Sequence, residues 1–207
     1  MTTEYLGDDR ALFLDISSTC TGYVVASMCR ATKVATIHKA GVLWFGKDWP
    51  HGQKYRYLQE FIVDVAYVQY RIQDIVAEQY FTNPHSGMGT QVVSEATGAA
   101  KASCFEVMPP MGFYLIPPQS WRAALEIKKD TTKKGKLAFK DPTKAKIEEL
   151  LKIKLPEKMV SNIDGKSKTT PSDLADALGV CMGWLSLEPN SCTKFIIAKG
   201  AIDVPTT

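Results

Sequence analysis

With 207 residues, 45% hydrophobic and 23% charged, the chain has material for one ordinary domain with a core, which excludes a disordered polymer. Its net charge of +3 is too small to demand a polyanionic partner, but eight lysines against two aspartates fall between Lys128 and Lys146. That local block is enough for a nucleic-acid footprint.

Leu12–Leu14 is an apolar run with one carboxylate, Asp15, at its end. A small polar turn follows, then Gly22 and a second apolar run to Cys29. The pattern predicts a strand, a tight turn and an antiparallel return strand. Val34–Phe45 makes a third strand of the meander. From Lys54 the period changes: Leu58, Phe61, Ile62, Val65, Val68 and Ile72 recur at helical spacing, giving a helix that ends near Arg71–Asp74. Ile75–Phe81 is a fourth strand, and the helix before it is long enough for a crossover that lays this strand parallel to the first.

Thr82–Gly89 is expected to be a loop. Thr90–Val107 is a helix rich in small residues, a composition that suits close packing on its own sheet or against a second helix. Gly112–Ile116 is a fifth strand, stopped by Pro117 and Pro118. Trp121–Ile127 is a short helix, and Lys128–Asp141 is expected to be a mobile surface loop. Pro142–Leu151 is a helix with Pro at its first position, Lys152–Thr170 is polar and irregular, and Ser172–Leu185 is the last helix. The tail after it has no assigned structure. The expectation is a single domain over 1–207 with its core in 11–186.

Five scattered cysteines with no CxxC pair suggest neither a disulfide framework nor a zinc site. The first ten residues lack an apolar signal core, and no apolar run approaches the ~20 residues that span a bilayer. A cytoplasmic protein of a bacterial or phage-infected cell, without signal or transit peptide, is expected.

Four acids stand in apolar surroundings. Asp15 and Glu78 end the first and fourth strands, which the crossover sets side by side. Asp173 and Asp176 are three apart on the last helix, so both lie on one face, where they repel unless a cation sits between them. Helix capping and first-turn dipole compensation account for Asp173 easily and for Asp176 less well, and do nothing for Glu78 or Asp15; Asp15 taken alone reads equally as a cap of the turn that follows it. All-oxygen donors select hard ions such as magnesium or manganese. Two such ions ~3.5–4 Å apart stabilise both the attacking and leaving oxygens of a phosphodiester.

These residues, in this order, resemble the RuvC family of Holliday-junction resolvases, with the match running through residues 11–186. Asp15 followed by Thr21-Gly22-Tyr23 resembles the family's first acid and its Thr-Gly-Tyr. Glu78-Gln79-Tyr80-Phe81 is similar to its Glu-Gln-x-Phe motif, and Asp173-Leu-Ala-Asp176-Ala-Leu178 to its final Asp-x-Ala-Asp-Ala-Leu. The resemblance implies a ribonuclease-H-like α/β fold, a five-stranded mixed sheet flanked by helices. It implies a crossover junction endodeoxyribonuclease, a homodimer joined through Thr90–Val107, that nicks opposing strands of four-way DNA junctions and leaves a 5′ phosphate and a 3′ hydroxyl. It further implies roles in DNA recombination and repair. Catalytic and metal-ligand positions would be Asp15, Glu78, Asp173 and Asp176, holding two magnesium ions per subunit, with manganese able to substitute.

By the same resemblance, Phe81 falls where an aromatic stacks on an unpaired base. Arg122 and Lys144 fall where basic residues meet the scissile phosphate or the backbone. Lys128, Lys129, Lys133, Lys134, Lys136 and Lys146 complete the expected DNA-binding set. Two departures from the bacterial pattern stand out. Ile16-Ser17 replaces Pro-Gly after the first acid, closer to viral and organellar members, and Glu126–Asp141 is longer and richer in lysine. Cleavage-sequence preference is therefore open, and forks and flaps join the candidate substrates. Ribonuclease H shares the acids but not the dimer helix. An actin-like kinase shares a first strand ending in Asp but needs a longer chain, and a catalytically silent junction-binding protein would not need all four acids. His38, His51 and His85 are isolated in sequence.

Overall fold

The computed structural model describes residues 9–80, 88–107, 112–132, 137–187 and 189–202. The apolar run around Leu12 forms β1 (Asp9–Ile16), the central strand of the sheet. Its return strand β2 (Cys20–Cys29) pairs antiparallel, with Asp15 opposite Gly22. The turn between them is closed by Ser17, whose hydroxyl donates to the Cys20 carbonyl at 2.8 Å. It is steadied by Lys54, whose ammonium donates to the Ser18 carbonyl at 3.2 Å. β3 (Val34–Trp44) completes the meander.

On the other side of β1, the chain crosses over through α1 (His51–Val63) and a π-helical turn, Asp64–Gln69. It enters β4 (Asp74–Glu78) parallel to β1, with Leu14 beside Ala77. After α2 (Met88–Val107), β5 (Gly112–Ile116) lies parallel to β4. α3 (Pro118–Ala124), α4 (Leu137–Leu151) and α5 (Ser172–Ser186) follow. Between α4 and α5, β6 (Lys158–Val160) and β7 (Ser167–Thr169) pair as a separate hairpin, and β8 (Lys194–Ile197) closes the sheet beside β3. The order is β5-β4-β1-β2-β3-β8.

This is the expected mixed α/β architecture, one strand wider because the tail pairs with β3. Three further local differences have physical causes. The stretch expected to be irregular holds the β6–β7 hairpin, whose ladder no hydrophobic alternation announces. α3 begins at Pro118 rather than Trp121 because two prolines pre-set the entry to its first turn. α4 begins at Leu137, inside the expected surface loop, so Pro142 is interior to it. An interior proline leaves the carbonyl four residues back without its donor. That carbonyl, Ala138, accepts instead from the Asp130 N–H at 2.8 Å, so the helix continues through the proline.

Side chains alternate across each strand, and the two faces bury separate cores. Leu12, Leu14, Ile75 and Ala77 pack with Leu58 and Ile62 of α1 and Ala96 and Ala100 of α2. Phe13, Val24 and Val76 pack with Trp121, Leu174 and Leu178 on the other face. Asp15 and Glu78 share parity with Phe13 and Val76, so both point to the face covered by α5. That helix is buried over most of its length and lies directly on β2. A Cβ on Gly22 would overlap the backbone carbonyl of Asp173, and only glycine permits so close an approach. No helix among the described residues is long and apolar enough to cross a membrane.

Gly22→Ala is accordingly expected to push α5 off β2 and to cost roughly 1–3 kcal/mol or more. Chemical denaturation should show a lower midpoint at unchanged slope. A wild-type midpoint would mean that the helix does not rest on this strand.

Candidate active site

Parallel strands β1 and β4 end at the same edge of the sheet, where a crevice forms outside their carboxyl ends. Here it is a cleft of about 340 Å³ lined by Asp15, Glu78, Asp173 and Asp176 together. Two acids come from adjacent strand ends and two from the first turns of α5. Arg122, Phe139, Lys140, Tyr80 and Ser172 complete much of its wall.

Glu78 is held by two side chains of α3. The Trp121 indole N–H donates to its Oε2 at 2.9 Å, and the Arg122 guanidinium stands 4.0 Å from the same oxygen. Trp121 is fully buried and seated against α5, with its ring over Gly179 and its backbone over Gly183; a Cβ at either would collide with it. Arg122 lies between two aromatic rings, 4.6 Å from the centre of Trp121 and 4.8 Å from that of Phe139. Its Nε is buried with no hydrogen-bond partner among the described residues. A guanidinium held near two rings, with one N–H unpartnered among the described residues, is suited to receive an anion.

Cys20 sits beside Asp173. Burial first, then the Asp173 charge, pushes its thiol up to about 12, so it stays protonated and supplies no thiolate.

Among the described residues, no three acidic, histidine or cysteine side chains are placed to close on one ion. The cleft is not an all-protein cage. Magnesium needs none: it keeps several waters and is commonly held by one or two carboxylates plus substrate phosphate oxygens. Four carboxylates spread along an open wall fit that mode of binding, and the donor set contains nothing soft.

No family model matches the chain, and no curated protein matches it. Solved structures do match. Thermus thermophilus RuvC, in complex with a Holliday junction substrate, superposes with a TM-score of 0.62 at 16% identity, over 87% of this chain and 97% of that one. The yeast mitochondrial Holliday junction resolvase gives 0.55 at 16% identity, over 88% and 80%. The fowlpox virus Holliday junction resolvase gives 0.54 at 12% identity, over 86% and 97%.

This chain has the RuvC fold.

At these identities the likeness carries the fold, and the roles of side chains rest on the cleft itself. On this RuvC-like frame, the four acids and Arg122 are brought together. Lys144 lies outside the cleft, in a groove that adjoins it. Lys128 and Lys129 are exposed on the turn after α3. Lys146 lines a different depression, beside β8, and pairs with Glu149 at 3.2 Å. Phe81, Lys133, Lys134 and Lys136 lie outside the described residues, as does His85. His38 accepts from or donates to the Ser27 hydroxyl at 2.7 Å, within the sheet.

Sequence reasoning does not single out Trp121, Phe139 or Lys140. Lys140 belongs to the lysine block, and no local pattern separates it from its neighbours. Trp121 adjoins Arg122, but its partner Glu78 is remote in the chain, so only folding reveals the contact.

Trp121→Phe should keep the backbone and Cβ contacts at Gly183 while removing the donor to Glu78 and the ring atoms over Gly179, so the variant's denaturation midpoint is measured beside its activity. Loss of such a supporting hydrogen bond typically weakens metal binding ~10–100-fold. The expected outcome is a rise of that size in the magnesium concentration for half-maximal activity, with DNA affinity retained. An unchanged magnesium requirement would show that the indole does not orient this carboxylate.

Proposed function

We propose that this chain is a Holliday junction resolvase, a structure-selective endonuclease that nicks opposing strands of four-way DNA junctions. The observation that carries the reading is the convergence of Asp15, Glu78, Asp173 and Asp176 on one open cleft beside an aromatic-clamped arginine. The junction-resolving neighbours of the same fold support it.

In this reading the four carboxylates hold two divalent ions, magnesium with manganese as substitute. Bound there, the ions supply a water of lowered pKa and Lewis-acid stabilisation of the phosphodiester. The chain's own residues do the rest. Trp121 and Arg122 keep the Glu78 carboxylate turned into the cleft. Arg122 and Lys140 draw in the scissile phosphate and offset charge that develops on its oxygens. Asp15 and Glu78, on rigid strand ends, fix the lane in which the backbone lies. Lys128 and Lys129, with the remaining lysines of the block, add sequence-independent attraction for the duplex arms, and binding should weaken steeply with salt.

A homodimer is part of the proposal, because paired nicks need two cleavage centres. α2 supports it. Val93, Ala96, Ala100 and Cys104 are buried against this chain's own core, whereas Gly98, Ala102 and Phe105 are exposed on the outer face. Small residues there let a second backbone approach closely.

The test is cleavage of a mobile four-way junction, a Y-fork, a linear duplex and an RNA–DNA hybrid, in magnesium, by wild type and Asp15→Asn. Paired symmetric nicks on the junction, absent with the variant, are expected. Equal or faster cutting of the fork would recast the protein as a general branch nuclease. Cutting of the hybrid alone would make it a ribonuclease H, and binding without cutting would leave a silent junction binder.

A further inference from the structure

The cleft does not end at Lys140. Lys140 and Ser172 also line a second groove of about 460 Å³, so the two share a wall and adjoin. This groove runs between α4, the segment before β6, the base of the β6–β7 hairpin and the start of α5. Its cations are Lys140, Lys144 and Lys158, facing two acids, Asp141 and Glu157. Lys144 and Lys158 are exposed, while the Thr170 hydroxyl is buried at the groove with no hydrogen-bond partner among the described residues.

The hairpin that walls the groove has three residues in each strand. So short a pair is marginal by itself, and it is fastened from outside. The Asn162 side chain accepts from the Trp44 N–H at 2.7 Å and donates to the Trp44 carbonyl at 3.1 Å, as a strand residue would. The same amide nitrogen donates to the Tyr57 hydroxyl at 3.1 Å. Lys168 adds an ammonium 5.4 Å above the Trp44 ring while pairing with Asp164 at 3.3 Å. One amide thus ties an exposed basic hairpin to both β3 and α1. Met159 anchors the first strand of the hairpin in the core, while Val160 and Ile163 stay exposed. Asn162 then fixes where the rest of the hairpin stands, and a positioned cation binds more tightly than a loose one.

We infer that the groove receives the sugar–phosphate backbone of the DNA arm leaving the cleft. Lys144 and Lys158 meet successive phosphates there, and Asn162 is the positioning residue that holds the hairpin in place. This rests on the reading of the cleft as a DNA-cutting site. The wall shared with that cleft favours a nucleic-acid backbone over any unconnected anion, and phosphate contacts of this kind fix register without reading sequence.

The experiment measures junction affinity by fluorescence anisotropy across a salt series, without magnesium so that nothing is cut. The proteins are wild type, Lys144→Ala/Lys158→Ala and Asn162→Ala, and the junctions have long or trimmed arms. The double variant should bind the long-armed junction about tenfold more weakly. Its salt slope should fall by about 2, near 0.9 for each phosphate that is no longer neutralised. Trimmed junctions should be bound alike by all three. Asn162→Ala removes no charge, yet it should weaken the long-armed complex selectively and speed proteolysis within the hairpin.

Wild-type affinity and slope in both variants, with the wild type cutting junctions, would overturn the groove and leave the cleft reading standing. Equal losses on long and trimmed arms would also overturn it, as a general charge effect. A wild type that neither binds nor cuts junctions would overturn both.

Discussion

The structure depends on how closely α5 lies on the sheet. Where a Cβ of residue 22 would stand, the carbonyl of Asp173 stands instead. Because Gly22 is also the cross-strand partner of Asp15, this one approach sets the spacing between the acid of β1 and those of the helix. Farther along α5, Gly179 and Gly183 make the notch for Trp121, whose N–H reaches Glu78. Missing side chains on two elements therefore govern where all four carboxylates sit. A site assembled from strand ends and a packed helix holds its geometry better than one built on loops.

That geometry is electrostatically costly. Carboxylates gathered in one cleft raise each other's energy unless cations or donors offset them. Glu78 has an indole donor and a nearby guanidinium, and the guanidinium is fixed by the rings of Trp121 and Phe139 rather than by hydrogen bonds at every nitrogen. These donors offset the charge of Glu78, while four carboxylates along one cleft favour the entry of positive charge. An unpartnered Nε on Arg122 and an ensemble of acids without a closed cage are complementary features: one awaits an anion, the other a cation. In the proposed reading a metal–phosphate pair would meet both.

The parts legible in the sequence are those written in short-range patterns. Strand periodicity marks β1 to β5, the crossover implies the parallel pairing of β1 with β4, and helical spacing puts Asp173 beside Asp176. Those inferences set Asp15 beside Glu78 and Asp173 beside Asp176; that the two pairs meet is implied in the sequence by the resemblance alone. What escapes depends on partners distant in the chain. The start of α4 is hidden by Pro142, because the rule that proline breaks a helix assumes that the freed carbonyl stays unsatisfied, and Asp130 supplies the donor. The β6–β7 hairpin is largely polar and is held by Asn162 against Trp44, a pairing with no local signature. β8 is a strand because β3 has a free edge to offer, and its short sequence alone does not say so. Trp121 reads as ordinary core and is core, with one polar atom directed at the cleft.

The wiring of the cleft also bears on how the protein is made. Asp15 and Glu78 belong to β1 and β4, which precede α5 in the chain and leave the ribosome before it. Asp173 and Asp176 belong to α5, which also completes the seat of Trp121. A partly translated chain thus carries half of the acids and none of the helix that brings them to their final spacing. The cleft comes into being only once α5 has emerged, so a chain translated short of that helix presents no finished site.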